Sequence, residues 1–222
     1  MNWDPVSTLR CALWITGGQW AGKSTVAGIL AERYGLTHYH YDYHTTRGHE
    51  DRRIAAHVRA GAAPAERDAE TMWIRHTPRE MADAVLSDFA DRFAWVLDDL
   101  RGLVTPLPII ADGWGLRPDL VVPITAAPER MVVMVPTEEF RQRQAAQLPR
   151  AARVSAEVSD PDLAQRNRIE RDRLLAEDCV RTARELGVHV IEVDGSRDAE
   201  AMADVLADHF SSFLPRLMAT SR

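Results

Sequence analysis

The chain has 222 residues, 45% of them hydrophobic and 27% charged, a globular composition that excludes a disordered or fibrous protein. A net charge of −6 argues against a nucleic-acid-binding surface, and no apolar run reaches the ~18–20 residues of a membrane span. Cys11 and Cys179 lie too far apart for a paired-cysteine metal knuckle and the first ten residues lack an apolar leader core, so a single domain over 1–222, soluble and cytoplasmic, is expected.

Residues 11–16 form a short apolar run closed by Gly17-Gly18 and read as a buried strand. The spacing of Val26, Ile29 and Leu30 predicts a helix over 23–34, capped by Gly35. Residues 37–41 read as a second strand, and 45–76, rich in Arg and His, as helical pieces with loops. Thr77-Pro78-Arg79-Glu80 is a capping box with proline at the first helical position. Met81, Val85, Phe89, Phe93, Val96 and Leu97 carry that helix to about Leu100. Strands follow at 107–111 and 131–135, and Thr137 caps a helix through Arg143. After a loop over 149–160, Ser159-Asp160-Pro161 opens a long helix ending at Gly187. A strand over 188–193 turns at Asp194-Gly195-Ser196, and an amphipathic helix spans 198–213. Strands separated by helices predict an α/β fold, a parallel sheet with helices on both faces.

Between the first strand and the first helix stands Gly17-Gly18-Gln19-Trp20-Ala21-Gly22-Lys23-Ser24-Thr25, which satisfies G-x-x-x-x-G-K-[ST] in the strand–loop–helix context the motif requires. Glycines let the backbone wrap a phosphate with its N–H groups facing inward, and the helix N-terminus adds partial positive charge. Lys23 then reaches the β- and γ-phosphates of ATP, and the Ser24 hydroxyl ligates Mg²⁺. Composition singles out the same lysine: of 27 Lys plus Arg residues, 26 are Arg and Lys23 is the exception. Compositional drift exchanges solvated cations freely, so a surviving lysine marks a place where a compact ammonium fits and a planar guanidinium does not.

The kind of P-loop protein follows partly by exclusion. A guanine-reading Asn-Lys-x-Asp segment needs a second lysine, which the chain lacks. Asp112, ending the third strand, is followed by Gly113-Trp114 with no adjacent carboxylate to activate water. That favours transfer to a bound acceptor over hydrolysis.

On these motifs the chain resembles the nucleoside-monophosphate-kinase-like group of P-loop small-molecule kinases. The resemblance implies a three-layer P-loop NTPase fold with a five-stranded parallel sheet of order 2-3-1-4-5. Asp112-Gly113-Trp114 with Arg117 is similar to the group's Asp-Gly-Phe-Pro-Arg segment, which implies Asp112 for the metal and Trp114 and Arg117 on the acceptor side. It further implies a lid over about 141–160, with Arg141, Arg143, Arg150 and Arg153 closing on the phosphates. Asp194-Gly195-Ser196 corresponds to the loop that meets adenine through its backbone, and residues 43–76 to the acceptor cover.

Asp42 ends the second strand at the carboxyl edge of the sheet, beside the P-loop, where ligands of open α/β sheets collect. Related kinases acting on hydroxyls carry a carboxylate here that orients the acceptor; the competing reading is a turn former or helix cap. His38, His40, Asp42 and His44 share one face of an extended strand and offer zinc ligands, but alternate strand residues rise nearly ~7 Å apart, too far to share one ion without a turn. The other reading packs these histidines with Tyr39 and Tyr41 under helices or along the acceptor pocket. Arg47, His49, Arg52 and Arg53 follow in the covering segment and either bind an anionic group or form a solvated helix face. Arg166, Arg168, Arg171 and Arg173 pose the same choice on the long helix, and Trp20 and Trp114 flank the site.

The sequence therefore leads us to expect ATP- and Mg²⁺-dependent phosphoryl transfer to a small-molecule acceptor. A nucleotide-binding switch that transfers nothing, and a true nucleotide kinase, are the alternatives.

Overall fold

The computed structural model describes residues 9–61, 68–103, 105–147 and 158–215. Arg150 and Arg153 of the expected lid, and part of the acceptor cover, lie outside these residues. The first strand, β1 (Leu13–Gly17), is buried throughout and leads through the glycine-rich loop into α1 (Lys23–Tyr34). That helix ends where Gly35 turns left-handed, at φ 61°, and returns its N–H to Ala31. β2 (Thr37–His40) follows, then a four-residue helix α2 (Tyr41–His44), a π-helical turn over Thr45–His49 and α3 (Glu50–Arg59). A second π-helical turn, Thr71–Arg75, precedes α4 (Pro78–Gly102). The capping box at its start is formed: Glu80 N–H donates to Thr77 Oγ1 at 3.2 Å and Thr77 N–H to Glu80 Oε2 at 2.8 Å.

β3 (Ile109–Asp112), the short α5 (Pro118–Val121), β4 (Met131–Pro136), α6 (Glu138–Gln147) and α7 (Pro161–Glu185) come next. The chain closes with β5 (His189–Val193) and α8 (Ala199–His209). The strands form one all-parallel sheet of order β2-β3-β1-β4-β5.

Period-two alternation sends neighbouring strand residues to opposite faces, and each face has its own core. Leu13, Ile15, Ile110, Val132 and Met134 pack with α1 and α8 through Val26, Leu30, Met202, Leu206 and Phe210. Trp14, Tyr39, Ala111 and Val133 pack with α4 and α7 through Phe93, Val96, Leu100 and Cys179. Burial pushes the Cys179 thiol up to about 11, which makes it a poor nucleophile, and neither cysteine is in a disulfide.

Element limits differ from expectation where a particular contact decides them. The third strand starts at Ile109 rather than Leu107: Leu107 is exposed, and Pro108 supplies only its carbonyl, accepting from Thr37 N–H at 2.8 Å. The second strand stops at His40, one residue early, because Tyr41 turns inward onto the loop after β3. A Cβ at Gly113 would lie 2.3 Å from the Tyr41 Cβ, so only glycine admits the ring there. Asp42 consequently stands in the first turn of α2, not on the strand. The sixth helix runs on to Gln147, and the last one stops at His209 rather than Phe213. Among the described residues no helix is long and apolar enough to cross a membrane.

Candidate functional site

The loop between β1 and α1 is built by close approach. Gly17, at φ 120°, lies so near β4 that a Cβ would stand 2.1 Å from the Met134 carbonyl, which accepts the Gly18 N–H at 2.9 Å. Trp20 and Gly22 also take positive φ, 71° and 80°, so the chain coils before the helix begins. Trp20 tolerates that strain with its ring under the Arg168 guanidinium of α7, 5.6 Å from the centroid. No side chain caps the start of α1, which leaves its first N–H groups to an anionic ligand.

Lys23 opens α1 and is buried, and its ammonium donates back across the loop to the Gly18 carbonyl at 2.6 Å. Burial lowers its pKa, and the carboxylates of Asp42 and then Asp112 oppose that shift. Both carboxylates therefore act on the lysine from the strand ends beside it. Asp42 comes from the margin of the sheet, just beyond β2, and Asp112 from β3 next to β1.

Asp112 has no solvent exposure, and each of its oxygens has a partner. Oδ2 accepts from the Ser24 hydroxyl at 2.6 Å, and Oδ1 lies 2.7 Å from His38 Nε2. Behind it, Thr16 Oγ1 donates to the Gly113 carbonyl at 2.9 Å and Gly113 N–H to Ile15 at 3.0 Å, which ties the β3 loop to β1. A hydroxyl and a carboxylate in contact form an all-oxygen donor set, which fits Mg²⁺, an ion that takes few protein ligands and completes its shell from phosphates and water.

The polar and ring partners of the β2 and α2 histidines differ, although His38 and His40 stack on each other. His38 goes to Asp112; the His40 ring meets Tyr43 edge-on at 4.7 Å; His44 stacks on Tyr39 at 4.3 Å and reaches Asp99 at 3.2 Å. Among the described residues no three His, Cys, Asp or Glu side chains are placed to hold a metal ion, so the zinc alternative has no geometric support.

The arginines divide. Arg47 lies over the ring of Tyr43, the residue after Asp42, 5.8 Å from its centroid. Arg52 is bonded to Asp99 at 3.2 Å and Arg53 to Glu50 at 2.7 Å. Arg117 is buried, ion-paired with Asp178 and stacked over Phe89, and Trp114 packs edge-on between Phe89 and Tyr41. Arg141 is buried too, bonded to Glu138 at 3.1 Å and to the Ile169 carbonyl at 2.8 Å. Arg143 donates to the Asp194 carbonyl at 3.0 Å, and Gly195, at φ 82°, lies against Phe140. The Asp194 carboxylate folds onto its own turn, accepting from Ser196 N–H at 2.8 Å and Oγ at 2.6 Å, which holds its pKa below the usual range.

Sequence reasoning missed the roles of His38, Asp172 and Glu70. His38 entered as a zinc candidate or a packing residue; from two places before His40, which registers with Asp112, it reaches that carboxylate diagonally across the sheet. Asp172, buried on α7 with Arg171 at 2.5 Å, adds to the field on Lys23, and no sequence motif singles it out. Asn167 donates to the Trp73 carbonyl at 2.9 Å while Arg171 covers that ring at 4.8 Å, so α7 clasps the end of the covering segment. Glu70 joins the same clasp through Ser159, at 2.8 Å to its N–H and 2.6 Å to its hydroxyl.

No protein-family model matches the chain, and no curated protein matches it. Among solved structures it is similar to a gluconokinase from Sinorhizobium meliloti 1021, with 13% identity and a TM-score of 0.46 over 95% of this chain and 97% of that one. It is similar to shikimate kinase from Aquifex aeolicus, with 15% identity and a TM-score of 0.41 over 90% and 96%. A third is shikimate kinase from Acinetobacter baumannii in complex with shikimate, with 19% identity and a TM-score of 0.47 over 90% and 93%.

Proposed function

We propose that this chain is a P-loop kinase of the nucleoside-monophosphate-kinase-like group, transferring the γ-phosphate of ATP to a hydroxyl or phosphate of a small molecule. One observation carries the reading. Asp112, bonded to Ser24, and Asp42 in the first turn of α2 both oppose the loss of charge on buried Lys23, so a phosphate-binding cation feels a second carboxylate that the P-loop itself does not need.

Each group then has a task. The loop amides from Gly18 to Lys23, Gln19, Trp20 and Ala21 included, cradle the donor phosphates. Lys23 exchanges the Gly18 carbonyl for a charged phosphate oxygen, a stronger acceptor. Ser24 and Asp112 would hold Mg²⁺, which neutralises charge on the bound phosphates. Asp42 accepts the hydrogen bond of the acceptor hydroxyl and aims its oxygen at the phosphorus, a positioning role. The backbone of Asp194 and Gly195 meets the base, and Arg143 steadies that loop through the Asp194 carbonyl. Arg141, at the start of the expected lid, ties α6 to α7 through Glu138 and the Ile169 carbonyl. Arg47 serves the acceptor, because Arg52, Arg53 and Arg117 are already engaged with Asp99, Glu50 and Asp178.

The test is ATP turnover across a panel of hydroxylated and phosphorylated metabolites, with phosphate release to water as the control. With the acceptor in hand, Asp42→Asn should cut transfer by ~10²–10⁴-fold, the usual worth of a positioned acid–base group. ATP·Mg²⁺ binding should hold, because Asp42 touches no donor phosphate in this scheme. Weakened nucleotide binding with turnover intact would make Asp42 structural. No acceptor-dependent turnover by the wild type would favour a nucleotide-binding switch.

A further inference from the structure

We propose that His38 is a positioning residue for the metal site, holding Asp112 in the orientation that lets Ser24 and Asp112 serve together; this rests on the kinase reading above. The structure contains a chain of three side chains from three elements, His38 on β2, Asp112 on β3 and Ser24 on α1. Asp112 sits at its centre, fully buried, with Nε2 of His38 at 2.7 Å on one oxygen and the Ser24 hydroxyl at 2.6 Å on the other.

The chemistry of the three groups fixes the direction of the chain. A carboxylate only accepts, so Nε2 carries the proton and donates to Oδ1, and Ser24 donates to Oδ2. A serine whose proton points at Asp112 presents its lone pairs to the other side, where a cation needs them. That presentation depends on Oδ2 staying where it is. A carboxylate held at one oxygen can swivel about its last torsion, which is broad and roughly two-fold; held at both, it cannot. His38 is itself braced, its ring stacked on His40 with centroids 5.9 Å apart and planes 26° apart. Buried carboxylates and hydroxyls that bind metals are oriented in this way by partners that never touch the ion.

His38 is thus the link between the margin of the sheet and the metal pair. Register alone would set His40 opposite Asp112; the diagonal reach from His38 is what the structure uses.

The experiment uses the full chain with Mn²⁺ as the probe and ADP as the nucleotide. Mn²⁺ binding is read by electron paramagnetic resonance, metal-free ADP binding by calorimetry and folding by thermal unfolding. His38→Leu should raise the Mn²⁺ dissociation constant in the ADP complex by ~10–100-fold, the usual effect of removing such a partner. Metal-free ADP affinity should stay as in the wild type. His38→Gln, whose amide nitrogen takes the place of Nε2, should restore Mn²⁺ affinity. If His38→Leu does not fold, His38→Asn, polar but too short to reach Oδ1, should show the same loss. Wild-type Mn²⁺ affinity in His38→Leu or His38→Asn overturns the role, as does a fall in metal-free ADP affinity of the same size. Failure of the wild type to bind ADP with Mn²⁺ overturns the kinase reading itself, and the metal role of His38 with it.

Discussion

Lys23 lies in a space sized for an ammonium. Its Nζ is 2.6 Å from the carbonyl of Gly18, whose neighbour Gly17 and own N–H are held against Met134 of β4, so the wall it faces cannot easily retreat to admit a guanidinium. Lys23→Arg should lower phosphoryl transfer more than tenfold, about 1.4 kcal/mol of transition-state stabilisation, although arginine serves as the cation elsewhere in the chain. Initial rates with the identified acceptor decide it, and activity above a tenth of the wild type would refute the size argument. At this scale the sequence was legible where chemistry is contiguous. The run from Gly17 to Thr25 carries its own context, and Asp112 follows from its place after a strand. His38 was not legible, because its bond to Asp112 depends on how two strands register across the sheet. Nor was the engagement of Arg52, Arg53 and Arg117, since a guanidinium's partner is chosen in space.

Among the elements, α4 fastens the segment after β2 through one residue. Asp99 receives Tyr39 Oη at 3.1 Å, His49 Nε2 at 2.7 Å, His44 Nδ1 at 3.2 Å and Arg52 Nη2 at 3.2 Å. His49 is buried between Tyr41 and Trp95, and burial lowers its pKa below the ordinary 6.5, with Asp99 opposing and Arg52 and His44 reinforcing. The unfolded chain therefore takes up a proton near pH 6.5 that the folded chain refuses until a lower pH. The stability tied to a neutral His49 is complete above that value and is lost as the pH falls from it to the lowered folded value. His49→Gln keeps a donor for Asp99 and removes the titration. Its unfolding free energy should decline less steeply than that of the wild type between about pH 8 and pH 5. His209, also shifted down by burial, is common to both proteins and cancels in the difference. Identical slopes would show that His49 is not the titrating fastening. The sequence concealed this region because π-helical turns at Thr45–His49 and Thr71–Arg75 break the helical period on either side of α3.

For the whole molecule, alternation of apolar runs with helical spacing disclosed the parallel sheet and its two covered faces, whereas its order came from the family resemblance. Hydrophobic pattern records burial and not which strand lies beside which. That order separates the parts of the site. β1, which launches the phosphate loop, is flanked by β3 and β4, while β2, which carries His38 and delivers Asp42, has β3 as its strand neighbour at the end of the sheet. Marginal strands open at lower free-energy cost than central ones. The protein should therefore come apart in a sequence, losing its aim before its grip. In rising urea, acceptor-dependent turnover should fail at a concentration where ADP still binds, and native-state hydrogen exchange should release the β2 amides before those of β1. Coincident loss of both would mean that the sheet yields as one unit. On the proposed kinase reading, a molecule arranged this way would keep hold of its nucleotide through the fluctuations that disarm it, falling silent without spilling phosphate into water.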